Sequence, residues 1–161
     1  MKRLALTGIC ALAASGLMSA AAMAAGPQDK ILEFDSMVGV AAPYTGTTNP
    51  IRGVGGGGRP WSISTAEGEL RFDGKLEIRV TGLVLTETGL NPAATFRAIV
   101  SCMSKDAAGN PSTINVMTAP FPATPTGDSY IETNVGLPEP CIAPIIFVTS
   151  PTGSWFAATG M

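Results

Sequence analysis

Between Glu67 and Leu85 the chain reads E-G-E-L-R-F-D-G-K-L-E-I-R-V-T-G-L-V-L. Leu70 and Phe72 alternate with Glu69 and Arg71; beyond Asp73-Gly74, Leu76, Ile78 and Val80 alternate with Lys75, Glu77 and Arg79. Successive side chains on a strand point to opposite faces, so the pattern predicts a β-hairpin with one core face and one charged face. A two-residue loop at Asp73-Gly74 would set Phe72 opposite Lys75 and mix the faces. A three-residue loop, Asp73 to Lys75, pairs Phe72 with Leu76 and Leu70 with Ile78 inside. Outside, it pairs Arg71 with Glu77 and Glu69 with Arg79. The other three-residue frame puts Phe72 in the loop and sets Arg71 opposite Lys75 and Glu69 opposite Glu77. Opposite charges across a ladder contribute about 0.2–1 kcal/mol and like charges oppose pairing, so the first frame is expected. It leaves Gly74 central, where three-residue hairpins favour Gly last.

The same alternation runs through the rest of the chain. Leu32, Phe34, Ser36, Val38 and Val40 share one face, against Glu33, Asp35 and Met37, which predicts a first strand over 31–40. From Pro43 to Pro60 there is no period; three prolines and the run Gly55 to Gly58 predict a long irregular loop. Trp61, Ile63 and Thr65 begin a short strand, and Val84-Leu85 extend the hairpin's second arm past a bulge at Gly82. Phe96, Ala98, Val100 and Cys102 alternate with Arg97, Ile99, Ser101 and Met103, which places Cys102 inside. After a turn at Lys105 to Pro111, Ile114 to Met117 returns as a strand, and Pro120, Pro122 and Pro125 make an extended connection. Strands at Ser129 to Val135, Ile145 to Thr149 and Trp155 to Thr159 complete the chain. Eight or nine short strands with turn signals between them and no 3.6-residue period predict an all-β, antiparallel sandwich, Ig-like or jelly-roll-like.

The start of the chain is read differently. Lys2 and Arg3, the apolar run Leu4 to Leu17 and Ala22-Met23-Ala24 have the layout of a secretory signal peptide cut after Ala24. The expected organisation is a removed leader, 1–24, carrying Cys10, and one sandwich domain, 25–161. The chain's 10 Lys and Arg lose Lys2 and Arg3 with the leader, so 8 cations face 12 Asp and Glu, a net charge of −4. An evenly mixed, mildly acidic surface excludes the basic patch that nucleic acid or anionic lipid demands. No later run approaches the 18 or so apolar residues of a membrane span. Cys102 and Cys141 remain as an even pair in an exported chain, which predicts a disulfide. Closing a loop of roughly 40 residues contributes about 4 kcal/mol on the chain-entropy account.

The chain contains no histidine. That removes Ser-His-Asp and Cys-His nucleophile systems, H-E-x-x-H, and imidazole ligation of zinc or copper. G-V-G-G-G-G-R-P lacks the Lys-Ser/Thr of a phosphate loop, and Ser101 and Lys105 are not at S-x-x-K spacing. No catalytic residue, metal site or cofactor is therefore assigned. The carboxylates that remain fall in pairs two apart on a strand, Glu33 with Asp35 and Glu67 with Glu69. Glycoside hydrolysis needs two carboxyls some 5–10 Å apart, but such pairs ordinarily form a solvated strand face. The expected binding surface is Arg52 with Arg59-Pro60-Trp61 around the glycine run, because loops on a rigid sheet carry binding and Arg and Trp dominate interaction hot spots. The alternative is that Trp61 fills the core and the glycines permit a close crossing.

The phrases F-R-A-I-V-S-C at 96–102, T-A-P-F-P-A-T at 118–124 and C-I-A-P-I-I-F-V-T-S at 141–150 resemble a family of short exported bacterial proteins, which implies export and no particular activity. Phe34, the Gly/Pro-rich loop and G-E-L-x-x-D-G-K-L are similar to CHRD-type secreted β-sandwich domains, but the late His-x-His of those domains is missing. The expected function is an exported, non-catalytic binding or envelope-surface module for a protein or carbohydrate ligand. The rival readings are a carboxylate-dependent hydrolase of an extracellular polymer and a subunit assembling through an edge strand, the C-terminal one, which lacks blunting charges.

Overall fold

The computed structural model describes residues 29–160; the expected leader and its cleavage site lie outside them. Twelve strands and no α-helix are found among these residues. In the first half they are β1 (Lys30–Phe34), β2 (Val38–Gly39), β3 (Trp61–Ser62), β4 (Thr65–Arg71), β5 (Lys75–Thr81) and β6 (Val84–Leu85). The second half holds β7 (Thr95–Lys105), β8 (Pro111–Met117), β9 (Phe121–Pro122), β10 (Ser129–Asn134), β11 (Ile142–Thr149) and β12 (Trp155–Ala158). Eight have four or more residues; β2, β3, β6 and β9 have two each, too short for a period to reveal, which is why the sequence predicts fewer.

The strands form an antiparallel sheet ordered β1-β4-β5-β10 and a second ordered β2-β12-β11-β7-β8, with β9 paired to β7 and a small β3-β6 ribbon. Leu70, Leu76, Ile78, Val80 and Ile131 of the first sheet join Phe96, Val100, Cys102, Ile146 and Val148 of the second in one buried cluster. This is a β-sandwich, with the alternating phases of both sheets turned inward as the sequence predicts. The disulfide is present: Cys102 on β7 bonds Cys141, the residue before β11, across neighbouring strands.

The hairpin is there, but its register is the one charge pairing disfavours. Leu70 lies opposite Leu76, Glu69 opposite Glu77 and Glu67 opposite Arg79. Turn chemistry decided it. The loop is Phe72-Asp73-Gly74, Gly74 is last at φ +87°, and its amide donates to the Arg71 carbonyl at 3.0 Å. A three-residue loop ending in a left-handed residue fits the strands' twist. Phe72 is consequently 68% exposed rather than paired with Leu76.

Three other expectations are corrected. The stretch 31–40 is two strands: β1 pairs β4, the chain bends over Asp35 to Met37, and β2 pairs β12 in the other sheet. The crossing breaks the alternation, so Met37 is buried and Val38 exposed, while Val40 is buried again. Val84-Leu85 do not prolong the hairpin. Gly82, at φ +63°, turns its amide to Asp128 Oδ1 at 3.0 Å and sends β6 to β3. The C-terminal strand is not an edge either. β12 lies between β2 and β11, and Gly55 and Gly57 hydrogen-bond Trp155 through its amide and carbonyl at 2.9 and 2.8 Å.

Candidate functional site

On the outer face of the four-stranded sheet the cross-strand register assembles charges into rows. Glu33, Glu69, Glu77 and Glu132 stand opposite one another from β1 to β10. Beside them Lys30 pairs with Arg71 and Lys75 with Asn134, while Glu67, Arg79 and Tyr130 form a third row. Four aligned glutamates would repel, but the cations of the next row reach them both along their own strands and diagonally across to the neighbouring ones. Lys30 Nζ lies 2.9 Å from Glu33 and 2.7 Å from Glu69, and Arg71 lies 3.6 Å from Glu69. Lys75 pairs with Glu77 and lies 3.8 Å from Glu132. The hairpin alone cannot show this neutralisation, because Lys30 and Glu132 come from other strands.

The third row is built around an aromatic. Arg79 Nε lies 3.4 Å from Glu67, and its guanidinium sits 5.0 Å from the centroid of the Tyr130 ring, a cation–π distance. The Tyr130 hydroxyl donates to Glu132 Oε2 at 3.1 Å. Desolvation first, and then that hydrogen bond, raise the phenol above its ordinary value, so it stays a donor. The Lys30 hydrogen bond lowers the Glu69 carboxyl below its ordinary value, and the Lys30 ammonium is raised, chiefly by Glu69 and then Glu33.

An open groove of about 670 Å³ runs across this face. Glu33, Asp35, Glu67, Glu69 and Glu77 line it, with Arg79 and Tyr130 at one side. Phe34 lines it as well, its ring lying close over Gly68: a Cβ there would stand 2.6 Å from Phe34 Cζ and 2.3 Å from the Glu77 carbonyl oxygen. Glycine at 68 thus lets an aromatic lie directly on the strand. A second hollow of about 310 Å³, with Asp128 and Pro122 on its wall, meets the first at Arg79 and Tyr130. The groove therefore offers several carboxylate acceptors, a guanidinium and a half-exposed phenol on a rigid sheet. No group of three or more His, Cys, Asp or Glu positioned to hold a metal occurs among the described residues.

The residues expected to form a loop surface go elsewhere. Trp61 is 6% exposed and stacks on Phe156 with centroids 3.8 Å apart, with Phe96 edge-on at 6.4 Å. Arg52 and Gly53 have φ +49° and +81°, the two-residue turn that closes the Ile51–Val54 pair. From that turn Arg52 donates to the Ser101 carbonyl at 2.9 Å and accepts from Asn115 at 3.0 Å, which fastens the loop to β7 and β8. Arg59 pairs with Glu87 at the surface. The three do not share one exposed patch. The glycine run serves a close crossing: a Cβ on Gly56 would meet the Tyr44 carbonyl oxygen at 2.0 Å.

Of the groove residues, the pairs Glu33/Asp35 and Glu67/Glu69 are visible in the sequence. Glu77 and Arg79 appear there only as the hairpin's charged face, and Tyr130 is not singled out, because only the order β1-β4-β5-β10 brings β1 and β10 to that face. The available signal was Tyr130, an aromatic on the polar phase of a strand whose alternate residue, Ile131, is buried. No family model, curated protein or solved structure matches the chain.

Proposed function

We propose that this is an exported, non-catalytic binding module whose ligand lies across the outer face of the four-stranded sheet. The ligand class that fits is a polyhydroxylated one, a carbohydrate. The supporting observation is the open groove in which carboxylates and the Tyr130 ring converge on a flat, rigid surface. Carboxylates accept hydrogen bonds from hydroxyls, and an aromatic ring covers the C–H face of a sugar. Because Lys30, Lys75 and Arg79 already neutralise much of the acidic rows, the groove favours a neutral ligand over a polycation. Export rests on the leader-like opening of the sequence.

The test is co-sedimentation with insoluble peptidoglycan, chitin and cellulose. Binding to one of them, weakened about tenfold, or 1.4 kcal/mol, by Tyr130→Ala, is expected. Retention of none, or retention unaffected by that substitution, refutes the reading.

A second reading is favoured by one observation: the carboxylates gather in one groove instead of scattering. A retaining or inverting glycoside hydrolase needs one acid held protonated near neutrality. Glu69 is shifted the opposite way. Release of reducing ends from any of those polymers, abolished by Glu67→Gln, would establish the hydrolase instead.

A further inference from the structure

The sandwich manages most of its strand edges. β1 carries Lys30 and Glu33, β10 carries Glu132 and is bridged at its start to Ala123, and β2 has two residues. β8 is different. It runs seven residues, P-S-T-I-N-V-M, with no charge, its one proline at the first position, and a strand neighbour on one side only among the described residues. Long neutral edges are templates for another strand.

The hydrogen-bond phase identifies which groups are open. Thr118 N–H donates to the Ala98 carbonyl at 2.9 Å, and antiparallel bonding alternates from there. Val116, Ile114 and Ser112, opposite Val100, Cys102 and Ser104, bond back to β7. Thr113, Asn115 and Met117 therefore turn their amides and carbonyls to the free side.

The side chains at this edge are also unusually apolar for a surface. Met103 on β7, Met117 on β8 and Ile142 on β11 are 40, 42 and 57% exposed. Ile142, Met103 and Thr113 lie opposite one another in one cross-strand row on the outer face.

We propose that β8 is a self-pairing edge at which two copies of this chain join antiparallel, about a two-fold axis through Asn115. In that register Thr113 faces Met117 of the second copy, Asn115 faces its own copy, and Met117 faces Thr113. All three open amides of each strand are used. Centring the axis on Ile114 instead would set Met117 against Pro111, which has no N–H to give. The chosen register also extends the exposed row, since Ile142, Met103 and Thr113 of one copy continue into Met117 of the other. On the inner face it sets Ile114 against Val116. Nothing in β8 repels a second β8, so an identical strand is the occupant the chemistry favours.

Light scattering on the purified protein at up to about 100 μM reads the association directly. The protein is expected to be dimeric. Thr113→Lys with Met117→Lys sets two like-charge pairs across the axis and is expected to weaken association at least about tenfold, with unchanged circular dichroism. Thr113→Glu with Met117→Lys restores it. In the hydrogen-bonded pair at the axis the Cα atoms are about 5.5 Å apart, within reach of a disulfide, so Asn115→Cys is expected to cross-link into a covalent dimer on mild oxidation. A monomeric protein that Asn115→Cys fails to cross-link overturns the proposal. So does a dimer that survives the double lysine substitution.

Discussion

Gly74 fixes the register of the central hairpin, and its replacement by alanine tests why. The residue sits at φ +87°, and Gly109, in the β7–β8 turn, sits at φ +86°. An L-residue there costs roughly 1 kcal/mol at either position. The surroundings differ. A Cβ at Gly109 meets nothing within 4 Å, whereas one at Gly74 would lie 2.1 Å from the Val135 carbonyl oxygen. That is backbone, so the end of β10 must withdraw. Withdrawal breaks the Val135 N–H bond to the Gly74 carbonyl, now 2.9 Å, which contributes about 0.5–1.5 kcal/mol. With strain and the displaced strand end added, Gly74→Ala should cost about 2–4 kcal/mol and Gly109→Ala about 1 kcal/mol. Urea unfolding of the oxidised protein, compared at constant m, measures both. Equal losses within about 0.5 kcal/mol would show that β10 does not close on the turn, and the reasoning from the Val135 contact would fail.

Two further outcomes follow from the disulfide and the charged face. Cys102 and Cys141 are 39 residues apart, so reduction or a paired Cys→Ala change should lower stability by about 4 kcal/mol; an unfolding midpoint indifferent to reductant contradicts this. The Lys30–Glu69 pair bounds the pH range of full stability. Glu69 is depressed below 4.5, so its contribution is complete above pH 4.5 and is lost as pH falls through the lower folded value. Lys30 is raised above 10.5, so its contribution is complete below pH 10.5 and is lost as pH rises through the higher folded value. Thermal melts across pH should show a plateau between those limits, and Glu69→Gln should flatten the acid limb; an acid limb unchanged by that substitution removes the pair from the account.

The groove was half legible. Glu33 with Asp35 and Glu67 with Glu69 are paired by strand periodicity alone. Arg79 reaches Glu67 within the hairpin, but the pairs' meeting with Tyr130 depends on β10 lying beside β5, a contact between segments about fifty residues apart that no local pattern encodes. The same limit misplaced the loop residues. Trp61 belongs to a two-residue strand, and its stacking on Phe156 depends on where the C-terminal strand lies.

What the sequence determined by itself is the partition of faces. Leu70, Leu76, Ile78 and Val80, like Phe96, Ala98, Val100 and Cys102, are buried where alternation puts them, because a strand's side-chain period is two whatever it pairs with. The cysteine pair was equally readable from its count. Register was not settled by the faces, since the two three-residue frames bury the same parity of residues; Gly74 selects the observed frame locally, and the tertiary structure makes its charges tolerable. Pairing Glu69 with Glu77 is tolerable only once Lys30 arrives from β1 and Lys75 serves both Glu77 and Glu132. Edges were decided there too: the C-terminal strand is covered by chain more than a hundred residues earlier, and β8 is left open. Periodicity acts within a strand, whereas neighbours are chosen by the whole set of strands competing for the same few positions.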